Sequence, residues 1–357
     1  MEATQLNCLS KHFEQAAKVR FKNSVLYKRL CESITQDCTL LSLVSFTRAG
    51  QPASYLLFAV VYYLIMKGIS HPLAKIYRNL AAGRKLEDDP FPIFRDFCLQ
   101  HEEAVRDILS TRLVQTNEVG RTAYLRIGLK QLQKLAGRKK ISVIELGASA
   151  GLNLSWDQYG LQFLRRQSNG EWIVVWKVGN MESSVLLRCE LRGDQNPFGN
   201  RLGELEVVER LGIDLAPPDL DSADDVCWLL AQIGPDQPER ARRLLAALEL
   251  ACESRWPVIQ ADATVALNDI CATLHRDTLL CIVCSHFLHQ LTESSRLQLE
   301  TQFYKLALKR DFAIIAQEWF NDKVLLTLTR WRGGRSAGEE VLATCESYGE
   351  WIEWQVI

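Results

Sequence analysis

A carboxylate followed by two glycines is the first feature of the sequence with a clear chemical use. Glu145 begins the pattern Glu-x-Gly-x-x-x-Gly, which places glycines at Gly147 and Gly151. Residues 141–144, rich in β-branched side chains, precede it and are typical of a strand buried on both faces. An apolar segment that can cover a helix follows. The stretch predicts a strand, a glycine turn and a helix, with a ligand at the carboxyl end of the strand.

The glycine spacing argues against two common phosphate-binding loops. A dinucleotide fingerprint needs Gly-x-Gly-x-x-Gly, but Ser149 and Leu152 stand where its second and third glycines would follow Gly147. A P-loop needs Lys and then Ser or Thr after its second glycine, and neither follows Gly151. The pattern therefore favours a ligand without phosphate. The alternative is a turn that only packs a helix on a strand.

A second polar stretch precedes this pattern. Two amides, a carboxylate and a guanidinium occur close together, at Gln115, Asn117, Glu118 and Arg121. They could line a binding pocket. Equally, Thr116 or Asn117 could cap a new helix with Glu118 in its first turn, where the helix dipole favours negative charge. The residues alone leave both interpretations open.

Polar residues also follow four later segments that are rich in strand-forming residues. Asp214 and Asp262 end the second and third predicted strands, and His286 and Glu318 follow the fourth and fifth. Because the carboxyl ends of parallel strands share one edge of a sheet, these side chains are expected beside the glycine turn. Asp214 could bind a ligand, since a carboxylate accepts two hydrogen bonds from hydroxyl groups. Alternatively, it caps the helix that follows.

Composition indicates a soluble globular protein of one or two domains. The 42 basic and 43 acidic residues balance, so no broad attraction to nucleic acid or lipid is expected. The longest apolar run, residues 55–66, is shorter than the roughly 20 residues that span a bilayer. The polar N-terminus and the scattered cysteines predict a cytoplasmic protein with free thiols. Cys281 and Cys284 would point to opposite faces of a strand, so no metal site is predicted.

The hydrophobic periodicity divides the chain into two parts. Residues 1–139 show helical spacing and predict an N-terminal helical region. Residues 140–357 predict an α/β domain. Within it, strand-forming segments at 171–177 and 184–191 predict a β-hairpin inserted at about 161–203. Residues 324–354 predict two further strands that close the sheet.

In this order, the elements resemble the class I S-adenosylmethionine-dependent methyltransferases. Glu145 with its glycines looks like the first motif of that class, and Asp214 looks like the acidic end of its second strand. The resemblance implies a Rossmann-like sheet with an N-terminal all-helical region and an inserted β-hairpin. It also implies S-adenosylmethionine as cofactor, held by Glu145, Gly147, Ser149, Gly151, Asp214, Asp262 and Ala263.

A narrower resemblance covers nearly the whole chain. The strings Gln115-Thr-Asn-Glu-Val-Gly-Arg121 and Glu145-Leu-Gly-Ala-Ser-Ala-Gly-Leu-Asn153 are similar to those of a bacterial family catalogued as a domain of unknown function. Its members pair a helical region with a methyltransferase-like domain. The likeness favours a substrate-binding role for Gln115, Asn117 and Arg121. Where the family pattern has a histidine near the end of the fourth strand, this chain has Cys284.

These features predict a methyltransferase that acts on a small molecule, with neither nucleic acid nor membrane as partner. Its main task would be to align a nucleophile with the methyl group, and His286, Glu118 and Glu318 are the candidates for a base. Each also has a structural interpretation, as a strand-end histidine, a first-turn charge and a surface carboxylate. The alternative function is a non-catalytic cofactor-binding or regulatory protein with the same fold, because the predicted ligand contacts are more recognisable than the catalytic ones.

Overall fold

The computed structural model describes residues 3–136, 140–193 and 206–355, which divide into two compact units. The helical unit comprises Met1–Thr116 and Leu220–Leu245, and the sheet unit comprises Asn117–Asp219 and Ala246–Ile357. The hydrophobic periodicity of the sequence predicts a division at 139/140 instead. Residues 220–245 join the helical unit because Trp228, which they contain, is buried in its hydrophobic core.

The described residues form twelve α-helices. In chain order, these are α1 Ala3–Gln15, α2 Val25–Ile34, α3 Cys38–Val44, α4 Ala53–Met66, α5 Leu73–Ala81, α6 Phe91–Gln100, α7 Glu102–Thr111, α8 Thr122–Ala136, α9 Ala223–Ala231, α10 Pro238–Ser254, α11 Ala263–Ala272 and α12 Glu293–Ala307. In the helical unit, α4 is apolar on nearly every side and is buried as the central helix. The Phe58 ring on α4 stacks on Tyr27 of α2 with 4.4 Å between ring centroids.

Eleven strands of the described residues form one mixed sheet in the sheet unit. They are β1 Lys140–Leu146, β2 Gly160–Arg166, β3 Trp172–Gly179, β4 Leu186–Arg192, β5 Glu206–Asp214, β6 Val258–Gln260, β7 Leu279–Ser285, β8 Phe312–Phe320, β9 Lys323–Arg332, β10 Arg335–Cys345 and β11 Trp351–Trp354. The protein is therefore a mixed α/β protein, as the sequence predicts.

The sheet has the strand order β3-β2-β4-β11-β10-β9-β8-β7-β1-β5-β6. The five strands β6, β5, β1, β7 and β8 are parallel neighbours. Beyond β8, the strands β9 to β11 continue in antiparallel pairs, and β11 then pairs in parallel with β4. Apart from its first residue β1 is fully buried, which suits the β-branched run that predicts it.

The predicted pairing of segment 171–177 with segment 184–191 as a hairpin is wrong. The strand at 172–179 pairs in antiparallel fashion with β2, and β4 lies on the other side of β2, parallel to it. Stacking of Phe163 on Trp176, with 5.6 Å between ring centroids, fixes the β2–β3 pairing. Residues 194–203 of the predicted insertion lie outside the described residues.

The predicted helix after Gly151 is also wrong, because only a single 3-10 turn forms at Leu152–Ser155. All four of its residues are buried, so the segment lacks the polar face that a longer surface helix would need. The Tyr159 hydroxyl donates to the Leu152 carbonyl oxygen at 2.6 Å and closes the turn, after which the chain enters β2.

Two of the general predictions can be compared with the fold. All eleven cysteines carry free thiols, as the scattered spacing predicts. In the part of the chain that the structure describes, no helix combines the length and the apolar character that a bilayer span requires.

Candidate functional site

The glycine loop lies where β1 ends, and its backbone is left-handed at three places. Gly147 and Gly151 both have φ of 70°, and Ser149 has φ of 51°. The backbone N–H of Gly147 donates to the Ile213 carbonyl oxygen at 2.8 Å, and that of Gly151 donates to the Ala148 carbonyl oxygen at 2.8 Å. The first bond holds the loop against the end of β5, and the second closes the loop on itself.

Asn117 clamps this loop from outside. Its side-chain Nδ2 donates to the Ala148 carbonyl oxygen at 2.8 Å, and its Oδ1 accepts from the Leu152 backbone N–H at 3.1 Å. One amide thus bridges the start and the end of the loop. Asn117 and Ala148, 31 residues apart in sequence, meet in the sheet unit, and the contact seen for Asn117 is with the protein's own backbone.

Asp214 meets the same loop from the end of β5. Its Oδ2 accepts from the Ser149 backbone N–H at 2.8 Å, and its Oδ1 accepts from the Ala216 backbone N–H at 3.0 Å. A carboxylate offers about four lone-pair sites, so each oxygen keeps capacity for one more donor. The half-buried side chain can therefore organise the loop and still accept hydrogen bonds from a ligand.

Asp262 and Ala263 lie where α11 begins. The Asp262 Oδ1 accepts from the Thr264 backbone N–H at 2.8 Å and from the Thr264 hydroxyl at 2.7 Å, which makes Asp262 the N-cap of the helix. Its side chain is exposed, whereas Ala263 is buried. The two residues follow β6, one strand beyond the end of β5 that carries Asp214.

Protein side chains cover both glycines of the loop. A Cβ added to Gly147 would lie 2.7 Å from the Phe287 ring, and one added to Gly151 would lie 2.8 Å from a Val258 methyl group. The glycines are therefore required by close packing as well as by their φ values. A ligand that approaches Gly147 from the side of the missing Cβ would meet the Phe287 ring.

A small cleft of about 20 Å³, room for roughly one water molecule, lies between the start of α8 and the sheet. Strands β1, β7 and β8 contribute Glu145, Ser285 and Gln317 to its lining, and α8 with the turn before it contributes Arg121 and Tyr124. In the sheet, β1 lies between β5 and β7, so the strand order reverses its direction at β1. Ligands of open α/β sheets bind at such switch points, outside the carboxyl ends of the strands.

Glu145 is the most perturbed acid of this cleft. Only 2 % of its surface is exposed, and its Oε1 accepts from the Asn153 Nδ2 at 3.0 Å. Among the described residues, its Oε2 has no hydrogen-bond partner, and neither has Asn153 Oδ1. Burial raises the pKa of Glu145 to about 8, against the opposing effects of the Asn153 hydrogen bond and the Arg121 charge. Such a carboxyl can exchange a proton near neutral pH.

The other residues of the polar stretch have separate places. Arg121 lines the cleft, and its Nε donates to the Ser347 carbonyl oxygen at 2.9 Å. Glu118 is buried and caps the short 3-10 turn Val119–Arg121, with its side chain accepting from the Gly120 backbone N–H at 3.3 Å. Gln115 belongs to the helical unit, where its backbone N–H donates to the Gln232 Oε1 at 2.6 Å.

His286 and Glu318, two of the predicted bases, come together where β7 ends beside β8. His286 is buried and has φ of 54°, a left-handed backbone that few residues other than glycine adopt. Glu318 accepts from the backbone N–H groups of Phe287 at 2.7 Å and Leu288 at 2.8 Å. His289 Nδ1 lies 2.9 Å from the Glu318 Oε2.

Sequence reasoning missed His289 and the role of Asn153. The spacing His-x-x-His after an apolar run was the available signal for His289. Its meeting with Glu318 depends on the register of β7 and β8, which the sequence does not show. Asn153 stands at the end of the quoted glycine string, but its contact with Glu145 depends on the single turn that replaces the expected helix.

The fold and the site define an α/β protein with a small cleft, lined by apolar residues and by Glu145 and Arg121, at the switch point of its parallel strands. The sequence profile of a bacterial family, described as an uncharacterized protein conserved in bacteria (DUF2332), matches residues 10–354. The chain belongs to this family, which confirms the predicted membership of a bacterial family of unknown function. No curated protein matches the chain, and no solved structure matches it.

Proposed function

We propose that the protein is a cytoplasmic S-adenosylmethionine-dependent methyltransferase that acts on a small molecule. The observation that carries this proposal is the order of the parallel strands. Counted along the chain, the neighbours β6, β5, β1, β7 and β8 are the third, second, first, fourth and fifth parallel strands. This order supports a Rossmann-like doubly wound arrangement of these five strands, with the glycine loop, Asp214 and Asp262 following the first three of them.

The residues at this edge fit the ribose end of such a cofactor. Asp214 is fixed by two backbone N–H groups and keeps acceptor capacity for two ribose hydroxyl groups. Asp262 is exposed one strand further along the edge, where an adenine amino group could donate to it. The bound cofactor would supply an electrophilic methyl group, so the protein's task would be to position a nucleophile.

The cleft supplies the residues for that task. Arg121 offers a guanidinium to a polar substrate, and Glu145 offers a carboxyl whose pKa is raised to about 8 by burial. A base works best when its pKa is close to the operating pH. We therefore assign the proton-accepting role to Glu145 Oε2, in addition to the cofactor contact that the sequence predicts. His286 and Glu318 lie next in sequence to Ser285 and Gln317, which line the same cleft.

A specific observation also favours a second candidate, a non-catalytic protein that keeps this fold. Phe287 and Val258 fill the space over Gly147 and Gly151, and the loop amides bond within the protein. A protein that no longer opens this loop to a ligand would have the same arrangement. Formation of S-adenosylhomocysteine from S-adenosylmethionine with a panel of metabolites separates the two candidates.

Binding of S-adenosylmethionine, measured by calorimetry, tests the cofactor assignment. Asp214→Ala should weaken binding by about 1.5–3 kcal/mol, the range for hydrogen bonds to a charged group. The control Asp277→Ala removes an exposed carboxylate of the same unit and should bind as the parent does. Thermal melting identifies variants that remain folded. A parent protein that does not bind S-adenosylmethionine would refute the proposed function, and unchanged affinity in folded Asp214→Ala would refute the role of Asp214.

A further inference from the structure

Two histidines and a glutamate meet where β7 ends beside β8. Ser285 and Gln317 are the last residues paired between these two parallel strands, so His286 and Glu318 follow that pair side by side, with Glu318 still paired to β9. His289 lies on the short turn Leu288–Gln290 that follows β7. The ligand atoms that the three side chains can offer all lie within 4.8 Å of one another.

Side-chain rotation would bring the three groups to the spacing that a metal ion requires. Metal–nitrogen and metal–oxygen bonds to histidine and carboxylate are about 2.0–2.2 Å long, so neighbouring ligands of one ion lie roughly 3.0–3.5 Å apart. The ligand atoms lie within 4.8 Å of one another, so the widest pair would have to close by at most about 1.8 Å through rotation about side-chain bonds. The 2.9 Å between His289 Nδ1 and Glu318 Oε2 is already a distance that neighbouring ligands of one ion adopt.

The carboxylate is oriented as metal-binding carboxylates are. Its Oε1 accepts from the backbone N–H groups of Phe287 and Leu288, which turns Oε2 toward the histidines. The backbone N–H of His286 donates to the Gln317 carbonyl oxygen at 2.9 Å and ties the turn to β8. The Trp319 ring packs 6.1 Å from His286, between ring centroids, and adds an apolar wall.

We propose that His286, His289 and Glu318 bind a divalent first-row transition-metal ion. Two imidazoles and one carboxylate form a donor set that zinc, iron(II) and manganese(II) accept, and three protein ligands leave coordination positions for water or a substrate oxygen. The site adjoins the cleft through Ser285 and Gln317. This assignment goes beyond the proposed function and does not depend on S-adenosylmethionine binding. The competing interpretation is a histidine–carboxylate hydrogen bond that only holds the turn.

Cobalt(II) titration of the chelator-treated, full-length protein tests the proposal. We expect one ion per chain and the visible absorption bands of cobalt(II) bound to nitrogen and oxygen ligands. His286→Ala, His289→Ala and Glu318→Gln should each weaken binding by about 100-fold or more, since even supporting residues of metal sites contribute about 10- to 100-fold. The control His275→Ala removes an exposed histidine of the same unit and should leave binding unchanged. Competition with zinc, iron(II) and manganese(II) then ranks the ions.

Two results would overturn the proposal. One is the absence of stoichiometric binding by the parent protein, which would leave the hydrogen bond as the role of these residues. The other is equal affinity in the parent and in folded His289→Ala. His286 is buried, so His286→Ala could fail to fold. The decision then rests on His289→Ala, because 27 % of the His289 side chain is exposed and its loss is more easily tolerated. A metal-dependent rise in melting temperature gives a second readout.

Discussion

Glu145→Gln should remove a pH dependence from the stability of the protein. Glutamine has nearly the shape of the protonated glutamate and cannot ionise. In the folded protein, burial raises the pKa of Glu145 from its ordinary value of 4.5 to about 8. Replacing this one side chain therefore separates its titration from that of all other groups.

The sign follows from comparing the folded and unfolded chains. Below about pH 4.5, the carboxyl is protonated in both. Between about pH 4.5 and 8, the unfolded chain releases the proton while the folded protein keeps it, so stability falls as the pH rises. Each unit of difference between the folded and unfolded pKa corresponds to 1.36 kcal/mol, so the free energy of unfolding falls by about 5 kcal/mol in all. The loss is complete above the folded pKa.

Urea denaturation of the parent and of Glu145→Gln at pH 5, 7 and 9 measures this difference. The stability of the variant relative to the parent should increase by about 4 kcal/mol between pH 5 and pH 9. The control Glu300→Gln changes an exposed carboxylate on α12 and should follow the parent at every pH. If the profiles of the parent and Glu145→Gln run parallel within about 1 kcal/mol, the raised pKa of Glu145 is refuted.

Two further predictions concern the glycine loop. Asn117→Ala should lower the free energy of unfolding by about 1–3 kcal/mol, because it removes both hydrogen bonds that bridge the loop; urea denaturation would show no change if the clamp were unimportant. Gly147→Ala should lower the free energy of unfolding more than Gly170→Ala does. Both glycines have positive φ, but only at Gly147 would the added Cβ lie 2.7 Å from Phe287. In a double-mutant cycle, Phe287→Ala should remove this additional loss of stability. Equal losses of stability for the two glycine substitutions would contradict the packing explanation.

Local residue types were sufficient to predict the centre of the sheet. The β-branched run defines β1, and the glycine spacing defines the loop that follows it, because both depend on neighbouring residues only. The contact between Asp214 and Ser149 follows from the rule that parallel strands end at one edge. The same rule brings His286 and Glu318 together.

Long-range pairing could not be read from the sequence in the same way. The segments of β3 and β4 show strand propensity, but nothing in them indicates that β2 lies between them. Residues 220–245 join the helical unit through burial of Trp228, a tertiary choice that helical spacing alone does not reveal. The raised pKa of Glu145 is likewise a product of burial, which the residue type does not specify.

The seam between β4 and β11 has a consequence for the order in which the sheet can form. The pairing Glu190↔Trp351 joins residues roughly 160 positions apart, and β2, β3 and β4 reach the other strands through β11. During synthesis, the edge of β4 stays unpaired until β11 has been made. An unpaired strand edge slows folding and promotes aggregation. Once β11 has paired with β4, the Arg192 guanidinium lies 4.2 Å from the centroid of the Trp351 ring, and this cation–π contact stabilises the pairing.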